Sequence, residues 1–300
     1  MVFMRPVDIA RLILLAAIWG ASFLFMRILA PVLGALWTAE IRVAIASVAM
    51  LLFMMVTRQP MDFRRQWRQY LVLGALNAAL PFMLFGYAAL TLPAGYSAIV
   101  NSTTPLWGAL LGVLALGESL NAKKIAGLLI GVAGVVLLVR LGPVAFTTEV
   151  LTAALACLGA AFCYATASVY SKKKSLGLLP SQMATGSHVA AALLLLPLLS
   201  VASMPQAVTP FIVLISCALA LLCSAAAYFI FFRLIADVGP TRALTVTFLV
   251  PLFALLWGTL FLQETVSLTT LAGCALVVLA TWLVVSGTKA GKALLPAAGE

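Results

Sequence analysis

Ten apolar stretches, each about as long as the roughly 20 residues a helix needs to cross hydrocarbon, follow one another along the chain. Hydropathy and its polar breaks set them at 9–29, 35–56, 69–91, 95–117, 122–140, 150–171, 182–202, 209–236, 240–262 and 267–286. The connections are mostly too short to hold a soluble domain. Composition agrees, since 64% apolar and 9% charged residues cannot cover a water-soluble globule of 300 residues. The expectation is an all-α membrane protein with ten transmembrane helices. The first stretch lacks a small-x-small cleavage site and ends at Arg27, so it reads as a retained helix rather than a signal peptide.

The chain carries 18 Lys and Arg against 8 acids, a balance that in a soluble protein would suggest nucleic acid. Its distribution decides otherwise. With the N-terminus inside, fifteen of these cations fall on the cytoplasmic face: Arg5, Arg11, Arg58, Arg64, Arg65, Arg68, Lys123, Lys124, Lys172, Lys173, Lys174, Arg233, Arg242, Lys289 and Lys292. Arg27 and Arg140 face the other way, and Arg42 lies in the outer half of the second stretch. The positive-inside rule then puts both termini in the cytoplasm and leaves no charge excess for a nucleic-acid partner. Cys157, Cys163, Cys217, Cys223 and Cys274 all fall inside apolar stretches with no thiolate metal spacing, which fits small apolar filler and no bound metal. Trp37, Trp67, Tyr70 and Trp282 lie at stretch ends and read as interfacial anchors.

A second pattern organises the stretches. "PLWGALLGVLALGE" at residues 105–118 returns as "PLFALLWGTLFLQE" at 251–264, with seven of fourteen positions identical at an offset of 146. The same offset pairs Phe85 with Phe231 and Gly127 with Gly273, and a shift of one residue sets Trp19 opposite Tyr164. The repeating unit is therefore five helices long, 1–143 and 144–300. Five is odd, so the second unit enters the membrane from the opposite side, with Glu118 at the inner end of the fourth stretch and Glu264 at the outer end of the ninth. Two inverted five-helix repeats give two pseudo-symmetric packings, one open to each face, which is what alternating access requires.

These strings resemble a known family. "AAIWGASF" at 16–23 looks like the first-helix signature of the drug/metabolite transporter superfamily, EamA-type branch, and "EIRVAIA" at 40–46 carries its second-helix Arg at Arg42. "KKIAGLLIGVAGVVLL" and "TTLAGCALVVLATWLV" look like its fifth helix in each half. The resemblance covers about 10–286 and is greatest to the YddG-type exporters of aromatic amino acids. It implies ten helices in two repeats, a bacterial inner membrane, small-molecule substrates and no cofactor. Glu40 departs from the family, which usually has an apolar residue there, and this leaves the outer half of the second helix without an explanation.

Substrate is expected at the centre. Pro105 and Pro251 fall near the middle of their stretches and each frees the carbonyl four residues back, at Asn101 and Thr247. A freed carbonyl must face protein or a wet cavity, so these prolines are candidate hinges in central helices. Asn101, Ser102, Thr103 and Thr104 precede the first, and Thr241, Thr245 and Thr247 the second; bonds to their own helix are the competing account of these hydroxyls. The candidate substrate-binding residues are Trp19, Asn77, Phe82, Asn101, Thr103, Trp107, Tyr164, His188, Tyr228, Thr245 and Phe248, with Phe85, Phe162 and Ser224 nearby. Aromatic walls with a few polar groups suit flat, apolar or cationic solutes. His188 is the one histidine and titrates inside a stretch, or serves only in packing. No acid lies centrally, and no cation either, which argues against a midplane carboxylate for proton coupling and against phosphorylated substrates.

Gly127, Gly131 and Gly134 with Gly273 line up on the fifth and tenth stretches, permitting close helix contact, either between the two or in a dimer. The chain is expected to act as a monomer or weak dimer. The reading is an inner-membrane exporter of small metabolites, foremost aromatic or apolar amino acids, working by facilitated diffusion. A proton-coupled exporter using His188 is the alternative, with a membrane-embedded enzyme, a channel and a scaffold further off, since no HExxH or GxSxG accompanies that histidine. In a background without the five native cysteines, single cysteines at Gln66 and Ala207 are expected to react with an impermeant maleimide from opposite sides of the membrane. Reaction of both from one side would remove the topology.

Overall fold

The computed structural model describes residues 5–117, 119, 121–141, 144–174, 178–203, 205, 208–238, 243 and 245–286. The expectations on Glu118, Ala207, Thr241, Arg242, Lys289, Lys292 and Glu300 lie outside the described residues. Among those described, the backbone is helical with short links and without strands. In chain order the helices are α1 Pro6–Val56, α2 Phe63–Ala88, α3 Ala94–Ala115, α4 Ala122–Leu141, α5 Thr148–Lys174, α6 Pro180–Val201, α7 Pro210–Ile235, α8 Val246–Leu262 and α9 Leu268–Ser286. Eight are long and apolar enough to cross a membrane, and α8 is shorter.

As a single rod, the 51 residues of α1 would extend about 77 Å against a hydrocarbon core of about 30 Å. It does not run straight. Gly34, at φ 78° and ψ 162°, interrupts it, and Arg42 beyond the break donates to Ser22 Oγ before it at 3.0 Å, across 20 residues of sequence. In an unbroken helix those residues would stand about 30 Å apart, so the two legs fold back on each other. Glycine adopts that backbone without a Cβ clash. The first two apolar stretches correspond to these legs.

Local signals account for several helix starts. Pro6, Pro180 and Pro210 occupy first positions, where the missing N–H costs nothing, and Thr209 Oγ1 accepts from Ile212 N at 3.3 Å. α2 begins earlier than the expected residue 69, because Asp62 caps it by accepting from Arg65 N at 3.1 Å. Its first turns carry Arg64, Arg65 and Arg68, which hydropathy alone excludes. Tyr70 is corrected as an interfacial anchor: it is 2% exposed and lies against Gly186, where any Cβ would strike its ring. Trp67 and Trp282 are both about half exposed.

Backbone irregularities recur at the offset of 146 residues seen in the sequence. π-helical turns interrupt α2 at Ala75–Ala79 and α7 at Leu221–Ala226. Left-handed residues, Gly117 at φ 67° and Gln263 at φ 55°, close the helices of α3 and α8, and their N–H groups return to the carbonyls of Gly112 and Gly258. Glu264 Oε1 accepts from Ala94 N at 2.8 Å, setting a carboxylate on the positive end of α3. Gly258 makes room for it, since a Cβ there would collide with that carboxylate. The second Gly and Glu of the duplicated string thus form a joint between the two sequence halves.

Two more joints matter for the site. Asp8, buried near the start of α1, binds Arg5 at 2.8 Å and Arg11 at 3.2 Å, and Arg11 reaches Asp237 at the end of the α7 helix at 2.6 Å. At the far end of the first leg, Arg27 Nη1 donates to Ala89 O at 2.6 Å. α4 and α9 pair through their glycines: a Cβ on Gly127 would stand 2.7 Å from Ala280 O, and one on Gly134 would stand 3.2 Å from Gly273 O. The small-residue faces are therefore filled by each other within one chain. Gly127→Val is expected to lower stability by about 1–3 kcal/mol through overpacking against backbone, read as thermal melting in detergent. Val132→Leu on the same helix, 63% exposed, should leave melting unchanged.

Candidate functional site

A cavity of about 750 Å³ lies between α1, α2, α3, α5, α6, α7 and α8, in the range of small-molecule sites. Its walls are aromatic. Trp19 on the first leg of α1 meets Tyr228 edge-on at 6.4 Å and Phe231 at 5.2 Å. Phe23 meets Phe85 at 5.4 Å and 88°, and Phe85 lies 6.2 Å from Tyr164. All six rings line the cavity. Toward one end the wall reaches Ser171, Lys172, Pro180, Met183 and Val285, at the ends of α5 and α9 and the start of α6. Toward the other it stops at the Phe23–Phe85 contact and Met26, on the side where Arg27 holds Ala89.

Of the residues expected at the chamber from sequence, Trp19, Asn77, Phe82, Asn101, Tyr164, Tyr228, Thr245 and Phe248 line this cavity. The π turn of α2 carries Asn77, whose Nδ2 donates to Tyr228 OH at 3.4 Å. Asn101 Oδ1 is buried and accepts no hydrogen bond among the described residues. Thr103, Trp107 and His188 are absent from the wall. Thr103 turns its hydroxyl onto Val100 O at 2.7 Å. Trp107 stacks edge-on at 5.5 Å against Phe162, which is 41% exposed and faces outward. His188 is wholly buried one layer behind the wall, its ring 5.4 Å from Tyr228 and 6.1 Å from Phe82. Its Nδ1 lies 2.9 Å from Ala184 O, while Nε2 has no hydrogen-bond partner.

The prolines act differently in the two helices. α3 is interrupted at Ser102 and Thr103, just before Pro105, whereas α8 runs on through Pro251. Both freed carbonyls find hydroxyl donors. Thr104 Oγ1 donates to Asn101 O at 2.7 Å, and Ser102 Oγ shares its hydrogen between Ala98 O of its own helix at 3.1 Å and Thr247 O at 3.4 Å. Ser102 O, released by the break, accepts from Thr281 Oγ1 of α9 at 2.7 Å. Ser102, Thr104, Pro105 and Thr247 line the cavity, and Pro251 does not. The two central helices and α9 are thus stitched together at their weakest turns.

Arg42 requires a correction. The sequence reading leaves the centre without a cation, yet this guanidinium lines the cavity with the residue only 6% exposed. A count from the end of the stretch locates its Cα, and the long side chain carries the charge further. Nε donates to Ser224 Oγ at 3.0 Å, Nη1 to Ser22 Oγ at 3.0 Å and to Met26 Sδ at 3.7 Å. Its Cζ lies 3.7 Å from the centre of the Phe82 ring, a cation–π contact. No carboxylate pairs with it among the described residues, and Glu40, also buried, lies outside the wall. The sequence did hold a signal: an arginine inside an apolar stretch is a functional candidate by default. The absence of a midplane cation therefore no longer counts against anionic solutes.

Known proteins carry the same pattern. The model of the EamA-like transporter family matches the chain twice, over residues 9–140 and 151–286. An uncharacterised transporter of Bacillus subtilis, YvbV, is 29% identical over 93% of this chain and 92% of its own. Protein PecM of Dickeya dadantii is 30% identical over 85% of this chain and 84% of its own. A crystal structure 20% identical in sequence superposes with a TM-score of 0.63, covering 93% of this chain and 96% of that one, which establishes likeness of fold. An apolar helical bundle around a central aromatic cavity, matched by the family model in both halves, places this multi-pass membrane protein in the EamA-like transporter family.

Proposed function

We propose that the chain exports small aromatic or apolar amino acids across a bacterial inner membrane, in the manner of the YddG-type exporters it resembles. The observation that carries this reading is the aromatic cavity itself, about 750 Å³, lined by Trp19, Phe82, Tyr164, Tyr228 and Phe248 around a few polar groups. Ten crossings are proposed, each leg of α1 taken as one and the shorter α8 as another, a count supported by the break at Gly34. With the cations counted inside, both termini are cytoplasmic, and the end of the cavity that reaches Lys172 and Pro180 faces the cytoplasm. The arrangement then corresponds to the inward-open member of an alternating pair, with Arg27 and the Phe23–Phe85 contact closing the outer side. The two inverted repeats supply the second packing. Pro105 and Pro251 serve as hinges, because hydroxyl bonds rather than helix bonds hold the carbonyls they free.

Among the described residues the wall holds no Asp or Glu, so solute is carried down its own gradient rather than against protons bound at a midplane acid. One observation favours a second reading, a proton-coupled exporter: His188 Nε2 is buried without a partner directly behind Phe82 and Tyr228. Reconstitution separates the two. Liposomes holding the protein are expected to equilibrate labelled phenylalanine without a pH gradient, and an imposed gradient should produce no accumulation. Uphill accumulation that follows the gradient and disappears in His188→Ala would replace the facilitator with the coupled exporter. Pro105→Ala restores a backbone donor to Asn101 O, and its flux is expected to fall severalfold with unchanged melting. Full flux in both Pro105→Ala and Pro251→Ala would remove the hinges.

A further inference from the structure

We infer that Arg42 is the seat for a carboxylate of the transported solute, so that the chamber selects solutes bearing one carboxylate over amines and over dianionic phosphate esters. The inference rests on the exporter reading for the cavity and adds the charge of its substrate. A guanidinium has five N–H donors in a planar fork and stays charged in proteins. Here Nε and Nη1 are held by Ser224 and Ser22, and Nη2 donates no hydrogen bond among the described residues. The two serines, 0% and 5% exposed, sit in the π turn of α7 and on the first leg of α1. They fix the plane of the fork while leaving its charge unneutralised.

Phe82 covers one face of the guanidinium at 3.7 Å. Nη1 is also taken up by Met26 Sδ, so the hydrogens left for a solute are those of Nη2, and a carboxylate reaches the guanidinium through charge-assisted bonds to that one nitrogen. A buried cation without a counterion is costly, and a ligand that supplies one recovers that cost on binding. One guanidinium balances one carboxylate. A phosphate dianion would keep a second negative charge, and the next cation of the wall, Lys172, stands at the cavity mouth rather than beside Arg42. An amine would add a positive charge to a site that already holds one, although the aromatic walls by themselves welcome cations. Arg42 thus sets the sign of the solute, and the rings set its shape.

The test is competition for labelled phenylalanine on the purified full-length protein, with hydrocinnamate, phenethylamine, leucine and a hexose phosphate as competitors. Phenylalanine and hydrocinnamate are expected to compete at least about tenfold more strongly than phenethylamine, a discrimination equivalent to about 1.4 kcal/mol, and the hexose phosphate should be inert. Arg42→Gln should erase the preference for acid over amine, and Arg42→Lys should restore part of it. If Arg42→Gln does not fold, Ser22→Ala with Ser224→Ala loosens the fork while keeping the charge, and the preference should shrink. Phenethylamine competing as well as phenylalanine, or an acid preference that survives Arg42→Gln or the serine pair unchanged, would overturn the role of Arg42 and leave the aromatic reading standing. If phenylalanine itself does not bind, a melting shift by leucine that is absent in Arg42→Gln and partly retained in Arg42→Lys would sink the aromatic reading and keep the carboxylate seat. No shift by any of these acids would overturn both.

Discussion

Hydrocarbon offers no hydrogen bonds, so every backbone N–H and C=O within the membrane must find its partner inside the protein. That requirement makes the chain helical wherever it meets lipid and confines irregular backbone to places lined by protein or cavity. The irregular turns obey it. The π turns of α2 and α7, the break before Pro105 and the proline of α8 all lie in the helices that wall the cavity. The helices that stand apart from the cavity core, α4 and the body of α9, are regular and pack by glycine against backbone.

The same economy governs polar side chains. Thr104, Ser102 and Thr281 serve carbonyls that helices would normally serve, and Glu264 serves the start of α3. These groups are occupied by architecture. Other polar groups of the wall are held differently: Asn101 has an unmet oxygen, the hydroxyl of Tyr228 accepts from Asn77, and Arg42 is fixed by two serines without a carboxylate among the described residues. Most of the wall is apolar, with eight aromatic residues on it, so the polar groups are points set in a large apolar surface.

Much of this was legible in the sequence because period and polarity act locally. Apolar length located the helices, duplication located the paired landmarks, and mid-span aromatics such as Trp19, Phe82 and Tyr228 turned up on the wall. The failures have geometric causes. Thr103 and Trp107 follow or sit in the interrupted turn of α3, where counting at 3.6 residues per turn no longer tells which way a side chain points. His188 misses the wall while its neighbours Ala184 and Ser187 line it, a rotation too small for hydropathy to resolve. The fold-back at Gly34 falls in the gap read between the first two stretches, whereas Arg42 was assigned by the depth of its Cα rather than by the reach of its side chain.

The bond from Ser102 to Thr247 O makes a residue of the first half the repair for a defect of the second, and Thr281 repays the first half from the last helix. Substitutions at these points cannot act independently. With Pro251 replaced, Thr247 O recovers its helical donor and the Ser102 hydroxyl is left to Ala98 O alone; with Pro251 kept, loss of that hydroxyl weakens the satisfaction of a carbonyl at the cavity. The tolerance of each position therefore depends on what stands at the other, so the cost of a change in one half is set by a residue of the other half.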